Sequence, residues 1–128
     1  MNRSEKLEHC IATNPSLLLA ASMMEKYQTL VEDAIAFGNK KGDNQEEKQT
    51  KTLDKLAVNF GIKILKIVPR YVSTEVDARL SFDIEGTIQR AKDIISLYQE
   101  EGIHKERVLI KIAATWEGIQ AATYLEGE

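Results

Sequence analysis

The stretch RVLIKIAATWEGIQAA, from Arg107 to Ala122, decides the fold because it changes from a strand pattern to a helix pattern. Residues 108–113 are apolar except for Lys111, as in a strand of a parallel sheet with both faces covered. Thr115 then stands where a helix N-cap is expected, ahead of apolar residues at helical spacing. The stretch therefore predicts one strand-to-helix unit of an α/β protein, with a lysine inside the strand.

The same change of pattern occurs twice earlier in the chain. The short apolar run CIAT at 10–13 ends just before Pro15, and proline suits the first turn of a helix. Residues 71–82 alternate between two faces, Asp83 then suits a helix N-cap, and Gly102 suits the end of that helix. Strand, helix, strand, helix, strand, helix predicts parallel strands joined by crossover helices.

The connection between the first two strands is long enough for two helices. Residues 39–51 between those helices are polar throughout and predict a solvated loop that grades into the second helix. Gly61, inside the second helix, predicts close packing against a neighbour, and Trp116 is predicted to pack in the core. The apolar stripes of the two helices are Met23, Tyr27, Leu30, Val31, Ala34 and Phe37, and Leu53, Leu56, Ala57, Phe60, Ile64 and Ile67.

Length and composition limit the class of protein. With 128 residues, 43% hydrophobic and 29% charged, residues 1–128 suit a single soluble globular domain. The net charge of −3 argues against a nucleic-acid or membrane-surface partner, and the apolar run at 17–24 is too short to span a membrane. A single cysteine, Cys10, cannot form an internal disulfide, so we expect a reducing, cytoplasmic location.

Metal and phosphate-loop chemistry find no support in the sequence. His9 and His104 lack cysteine or carboxylate partners at ligand spacing, so no metal site is predicted. Glycine-rich phosphate loops are absent. No motif surrounds Cys10, which favours a small packed side chain over a nucleophile.

Lys111 is the residue whose position needs a reason. On a strand it shares a face with Leu109 and Ala113, which suits the inside of a curved or closed sheet. Burial there would lower the lysine pKa from ~10.4 towards ~7–8 and leave a free amine that attacks carbonyl carbons. Alternatively, the strand lies at a sheet edge and the amine reaches water over its own apolar stem. The opposite face carries only branched residues suited to packing against helices: Val108, Ile110 and Ile112.

Polar side chains on the preceding strand bear on this choice. Ser73, Glu75 and Asp77 share one face; if Lys111 shares that interior, a carboxylate could relay protons and a hydroxyl could bind a sugar-like substrate. For Asp77 a salt bridge with Arg79 is the favoured alternative, whereas both roles stay open for Glu75. Asn14 either binds substrate or shapes the turn into the first helix.

Three blocks of sequence carry a family resemblance. TNPSLLLAA at 13–21, VSTEVDARLSFD at 72–83 and VLIKIAATWEGIQAA at 108–122 closely resemble the transaldolases, in the family's order and spacing. The resemblance begins at about Ile11, and residues 1–10 are poorly matched. It implies an α/β fold, a partial (β/α)8 TIM barrel of about three parallel βα units.

The resemblance also implies a chemistry. Transaldolases are transferases of the pentose phosphate pathway that move a dihydroxyacetone unit from sedoheptulose 7-phosphate to glyceraldehyde 3-phosphate, giving erythrose 4-phosphate and fructose 6-phosphate. Lys111 matches the lysine that forms a Schiff base with the ketose, and Glu75 matches the carboxylate that works through a bound water. Asn14 and Ser73 match residues that contact the donor hydroxyls, and no metal or organic cofactor is implied.

The sequence also departs from the family pattern. A barrel of this type takes about 250 residues, and the family's aspartate general acid and phosphate site have no counterpart here. We therefore expect a truncated form or fragment with little or no turnover alone. The alternative function is a non-catalytic half-barrel module that associates with itself, as a homo-oligomer, or with a full-length relative. A Lys111 exposed to solvent and far from Glu75 would contradict the Schiff-base mechanism.

Overall fold

A computed structural model describes residues 10–13, 15–67, 71–76 and 78–128. The candidates Asn14 and Asp77 lie outside these residues. Short 3-10 turns occur at Glu25–Tyr27, Ala78–Leu80 and Lys105–Arg107. The described elements are β1 (Cys10–Thr13), α1 (Pro15–Ser22), α2 (Gln28–Lys41), α3 (Gln45–Leu65), β2 (Tyr71–Glu75), α4 (Ile84–Glu100), β3 (Val108–Lys111) and α5 (Trp116–Glu126).

The strands form one parallel sheet in the order β1-β2-β3. Each strand is followed by helix, and the connection from β1 to β2 holds α1, α2 and α3. The α/β class and the three parallel strand-to-helix units predicted from the sequence are thus confirmed. In this order β1 and β3 are the edges of the three-stranded sheet, and β2 is its centre.

One face of the sheet is covered by helices. In β2 and just beyond it, Val72, Thr74 and Val76 are buried, while the residues between them are half-buried. In β3, Val108 is buried and Ile110 packs against the same core. The predicted division of β2 and β3 into two faces is therefore confirmed. The buried core between sheet and helices consists of Val58, Leu65, Val72, Val76, Ala91, Ile94, Leu97, Tyr98 and Val108.

Tyr98 of α4 occupies the centre of this core. Its hydroxyl is fully buried and lies 2.8 Å from the hydroxyl of Thr74 on β2. Burial raises the pKa of Tyr98 to about 12, so this hydroxyl keeps its proton at neutral pH. A Cβ atom added at Gly61 of α3 would overlap the same hydroxyl. The close approach predicted for Gly61 is confirmed, and the neighbour is Tyr98.

Both ends of α4 form as its sequence predicts. The Asp83 carboxylate accepts a hydrogen bond of 2.9 Å from the Gly86 amide and so caps the first turn. Gly102 ends the helix region in the left-handed conformation, with φ of 81°, which glycine adopts without a steric penalty. The predicted N-cap and C-terminal stop are confirmed.

The predicted solvated loop at 39–51 is confirmed only as a short turn at residues 42–44, and the predicted transition into the next helix comes early in the segment. Only a short turn separates α2 from α3, because α3 begins at Gln45. The Asn44 side chain accepts a hydrogen bond of 2.9 Å from the Glu47 amide, and the Glu47 carboxylate accepts one of 2.8 Å from the Asp43 amide. This reciprocal capping starts a helix whose first turns are polar because they face water.

The apolar stripes of the long connection are confirmed only in part. Ala34 is buried, and Tyr27 packs edge-on against Phe60 with ring centroids 5.1 Å apart. Met23, by contrast, is 80% exposed, because α1 ends at Ser22 and the stripe is interrupted there. Leu53 and Ile67 are also exposed; Ile67 follows the end of α3 at Leu65.

Trp116 does not pack in the core and is 72% exposed. Its helix instead buries its small residues, Gly118 and Ala121. A Cβ atom at Gly118 would overlap the Ala113 carbonyl, so the start of α5 lies too close to the chain after β3 for a larger residue. The first turn of α5 therefore leaves the indole pointing away from the core.

An ion pair joins α3 to α4. The Arg90 guanidinium donates to the Asp54 carboxylate over 2.6 Å, and both side chains are largely buried. Burial raises the pKa of Asp54, and this effect exceeds the lowering by the Arg90 hydrogen bond and charge.

We predict that this carboxyl makes stability depend on pH. The pKa of Asp54 is higher in the folded state than in the unfolded state. Its contribution to the free energy of unfolding is therefore full below the unfolded-state pKa and is lost as the pH rises through the folded-state pKa. Urea unfolding from about pH 3 to 7 gives the free energy of unfolding of both proteins. That of the native chain should fall with rising pH relative to that of Asp54→Asn. A constant or rising difference between the two proteins would contradict the prediction.

Candidate functional site

Two of the predicted site residues end neighbouring strands. Glu75 is the last residue of β2 and Lys111 is the last residue of β3, and the two are direct partners in the parallel register. Ser73 pairs with Leu109 in the same register. Partners in a parallel ladder point to the same face, so Ser73, Glu75 and Lys111 share the face opposite the helical core.

The backbone holds this pair of strand ends together. The amide of Val76, directly after Glu75, donates a hydrogen bond of 2.9 Å to the carbonyl of Lys111. Val76 itself is buried against the helices. The ladder between β2 and β3 therefore continues to the position of the candidate lysine. The backbone positions that carry the carboxylate and the amine are neighbours across the two strands.

The expectation that Lys111 points into a dry interior is wrong for the described residues. Lys111 is exposed, whereas Ser73, Glu75 and Leu109 are half-buried. The face that they share is not covered by any described element in the way that the helices cover the other face. This matches the alternative stated for the sequence, in which the strand lies at an edge of the sheet and the lysine reaches water.

The two structural requirements of the proposed mechanism, closeness of Lys111 to Glu75 and shielding of the amine from water, are met differently. The sequence-based mechanism required Lys111 to lie beside Glu75, and the register places the two together. It also required the amine to be shielded from water, and the described residues do not shield it. The site is therefore assembled in the plane of the sheet and open above it.

Thr115 adds a contact that the sequence did not predict. Its role as N-cap of α5 is confirmed, since its hydroxyl oxygen accepts from the Gly118 amide over 2.9 Å. The same hydroxyl donates to the carbonyl of Ser81, which belongs to the connection after β2. A threonine at a cap position signals the first contact, but nothing local in the sequence signals the second.

Other kinds of site are not formed by the part of the chain that is described. Residues 10–13, 15–67, 71–76 and 78–128 contain no group of three His, Cys, Asp or Glu side chains arranged to hold a metal ion. No helix among them is long and apolar enough to cross a membrane.

A groove of about 730 Å³ lies beside β3, α4 and α5 on the helical side. Val108, Ile110 and Leu125 are among its lining residues, whereas Glu75 and Lys111 are not. The groove is therefore separate from the face that carries the candidate lysine.

Comparison with known proteins identifies a family that this chain matches. Residues 3–128 match the family model described as transaldolase/fructose-6-phosphate aldolase. The chain is 59% identical over 116 residues to "Transaldolase A" of Escherichia coli K12 and 60% identical to "Transaldolase A" of Salmonella typhimurium LT2. It is also 59% identical to "Transaldolase 2" of Shigella sonnei.

The aligned part covers nearly all of this chain but a minority of those relatives. It makes up 91% of this chain and 37% of the length of each of the three. Family membership rests on this match. The activity of a whole relative also depends on parts of that relative that lie outside the aligned region.

Proposed function

Because this chain belongs to the transaldolase/fructose-6-phosphate aldolase family, we propose that Lys111 is the Schiff-base lysine of a dihydroxyacetone transfer. The donor is sedoheptulose 7-phosphate and the acceptor is glyceraldehyde 3-phosphate; the products are erythrose 4-phosphate and fructose 6-phosphate. The observation that carries this proposal is the register pairing of Glu75 with Lys111 at the carboxyl ends of β2 and β3. Carboxyl ends of parallel strands are where α/β barrels hold their catalytic residues.

Lys111 supplies the nucleophile in this mechanism. Its uncharged amine adds to the ketone carbon of the donor, and loss of water gives an imine. Protonated, that imine accepts the electron pair of the carbon–carbon bond as it breaks, and an aldehyde leaves. The carbon nucleophile that remains attacks the acceptor aldehyde, and water then releases the new ketose from the lysine.

Glu75 supplies proton transfer beside the nitrogen. The carbinolamine must lose its hydroxyl as water, and a carboxylate acting through a bound water can deliver and remove that proton. Its place beside Lys111 in the ladder and its half-buried side chain support this role. No metal or organic cofactor is needed for these steps.

Ser73 and Asn14 are proposed to bind the donor hydroxyls. Ser73 lies two residues before Glu75 on the same face of β2, within the region that a sugar bound to Lys111 would cover. For Asn14 the support is the sequence match alone, since it lies outside the described residues.

The proposed setting is a partial (β/α)8 barrel that comprises residues 1–128 as one domain. Closure of the sheet would shield Lys111 from water, whereas the face that carries it is open in the described residues. The exposure of Lys111 in the described residues supports slow turnover, because the amine stays in contact with water. We also propose a cytoplasmic location, which the single cysteine of the chain supports.

Borohydride trapping tests the proposed function. The chain is incubated with fructose 6-phosphate, the imine is reduced to a stable amine, and the adduct is located by peptide mass mapping. We expect the adduct to concentrate on the peptide that contains Lys111. An adduct spread evenly over the exposed lysines would contradict the proposal, since only the site chemistry favours residue 111.

A non-catalytic module that associates through its open sheet is the second candidate. The observations that favour it are the open face and the exposed side chains of Phe82 and Trp116, at 77% and 72%. Such a module would form homo-oligomers or bind a full-length relative. Analytical ultracentrifugation and the trapping assay together separate the two candidates. A module of this kind sediments as a dimer or larger species, and in the trapping assay it forms no adduct at Lys111.

A further inference from the structure

Two hydrogen bonds connect the chain after β2 to the end of β3 and to the start of α5. The first is the ladder bond from the Val76 amide to the Lys111 carbonyl, at 2.9 Å. The second is the bond from the Thr115 hydroxyl to the Ser81 carbonyl. Glu75 directly precedes the first bond on one strand, and Lys111 takes part in it on the other. The second bond lies four residues past Lys111 and six past Glu75 in the sequence.

We propose that Thr115 is a positioning residue that keeps Glu75 aligned with Lys111. Its hydroxyl uses both of its capacities at once, since it donates to Ser81 and accepts from the Gly118 amide at 2.9 Å. It thereby fixes the start of α5 against the connection that follows β2. The inference rests on the proposed function for its catalytic consequence, but the alignment itself is a structural property that is measured separately.

The location of the site explains why the hydrogen bond from Thr115 to Ser81, called the tie below, is needed. Lys111 is exposed and Glu75 is only half-buried, so packing by the described residues does not enclose the amine beside the carboxylate. Their alignment depends on the two backbones, and among the described strands β3 is an edge strand that pairs with β2 alone. Small misplacements of reacting groups reduce rates strongly, by as much as ~100-fold for about 1 Å.

Three substitutions separate the tie from the helix cap. Thr115→Ser retains a hydroxyl that donates and accepts. Thr115→Asp retains an acceptor for the Gly118 amide, and its charge suits a helix N-terminus, but an ionised carboxylate cannot donate to the Ser81 carbonyl. Thr115→Val has nearly the same shape and does neither. Only loss of the tie is common to the aspartate and valine variants.

Two measurements are made on each variant of the full chain. Hydrogen exchange of the Val76 amide reports directly on the bond to the Lys111 carbonyl. The rate of borohydride trapping of fructose 6-phosphate at Lys111 reports on the chemistry. In Thr115→Asp we expect Val76 exchange to rise and trapping to fall, each about tenfold or more, with helix content kept. Thr115→Ser should match the native chain in both, and Thr115→Val should match the aspartate variant.

The outcomes distinguish this inference from the proposed function. If the native chain traps no ketose at Lys111, the proposed function fails, and Val76 exchange still decides whether Thr115 aligns the strands. If Val76 exchange and trapping in Thr115→Asp equal those of the native chain, Thr115 is a helix cap and the inference is wrong. If both change equally in Thr115→Ser, the hydroxyl is not responsible, which also overturns the inference.

Discussion

Replacing Lys111 with arginine is expected to reduce borohydride-trapped ketose on the chain by at least about a hundredfold. Arginine retains the positive charge and a similar stem, but its guanidinium stays protonated and does not form an imine. The measurement is the amount of reduced adduct per chain after incubation with fructose 6-phosphate. A hundredfold loss corresponds to ~2.7 kcal/mol of lost stabilisation for imine formation.

The exposure of Lys111 makes this substitution a clean one. Because the side chain is exposed, Lys111→Arg should leave the melting temperature nearly unchanged, and any loss of adduct then reflects chemistry. Lys40→Arg is the matched control, since Lys40 is also exposed and lies on α2, away from the sheet. Equal adduct on the native chain and on Lys111→Arg would show that trapping occurs at unspecific lysines.

The face on which each site residue lies could be predicted from the sequence, but its shielding could not. A strand has a period of two, so Glu75 and Lys111 had to lie opposite Val76 and Val108 once the strands were recognised. Exposure depends instead on what lies above the sheet. That is a property of tertiary structure, and the residues next to Lys111 carry no signal for it.

Local signals predicted helix starts well where a cap stood beside an apolar run. Asp83 and Thr115 are caps that precede such runs, and both were predicted. Asn44 is a cap of the same kind, yet it lies in a polar segment, where no apolar run beside it marks the start of a helix. The prediction that Trp116 is buried is wrong for a different reason. Its size suggests burial, but its place in the first turn of α5 exposes it.

The contacts that join distant parts of the chain were the least predictable. Gly61 signalled a close approach, but not that the neighbour was Tyr98 on another helix. Thr115 signalled a cap, but not its bond to Ser81. In both cases one residue type was informative and the identity of its partner depended on the packing of sheet and helices.

Gly61→Ala should lower the free energy of unfolding by about 2 kcal/mol or more. Alanine in a helix interior gains ~1 kcal/mol over glycine, so propensity alone predicts stabilisation. The added Cβ, however, would overlap the Tyr98 hydroxyl and lie 2.8 Å from the ring carbon that bears it. Tyr98 is fully buried and bonded to Thr74, so it has little space to move, and overpacking of this kind costs ~1–3 kcal/mol. Loss of the buried hydrogen bond adds ~1–3 kcal/mol.

A double-mutant cycle with Tyr98→Phe identifies the cause. Tyr98→Phe alone should destabilise the chain by ~1–3 kcal/mol, because the buried Thr74 hydroxyl loses its partner. It also removes the atom that the new Cβ overlaps, so Gly61→Ala should cost less in the Tyr98→Phe background than in the native chain. Gly127→Ala is the control, since its Cβ would make an ordinary contact of 3.4 Å. Urea unfolding gives all the values, and additive effects of the two core substitutions would mean that α3 and α4 do not approach each other through Gly61 and Tyr98.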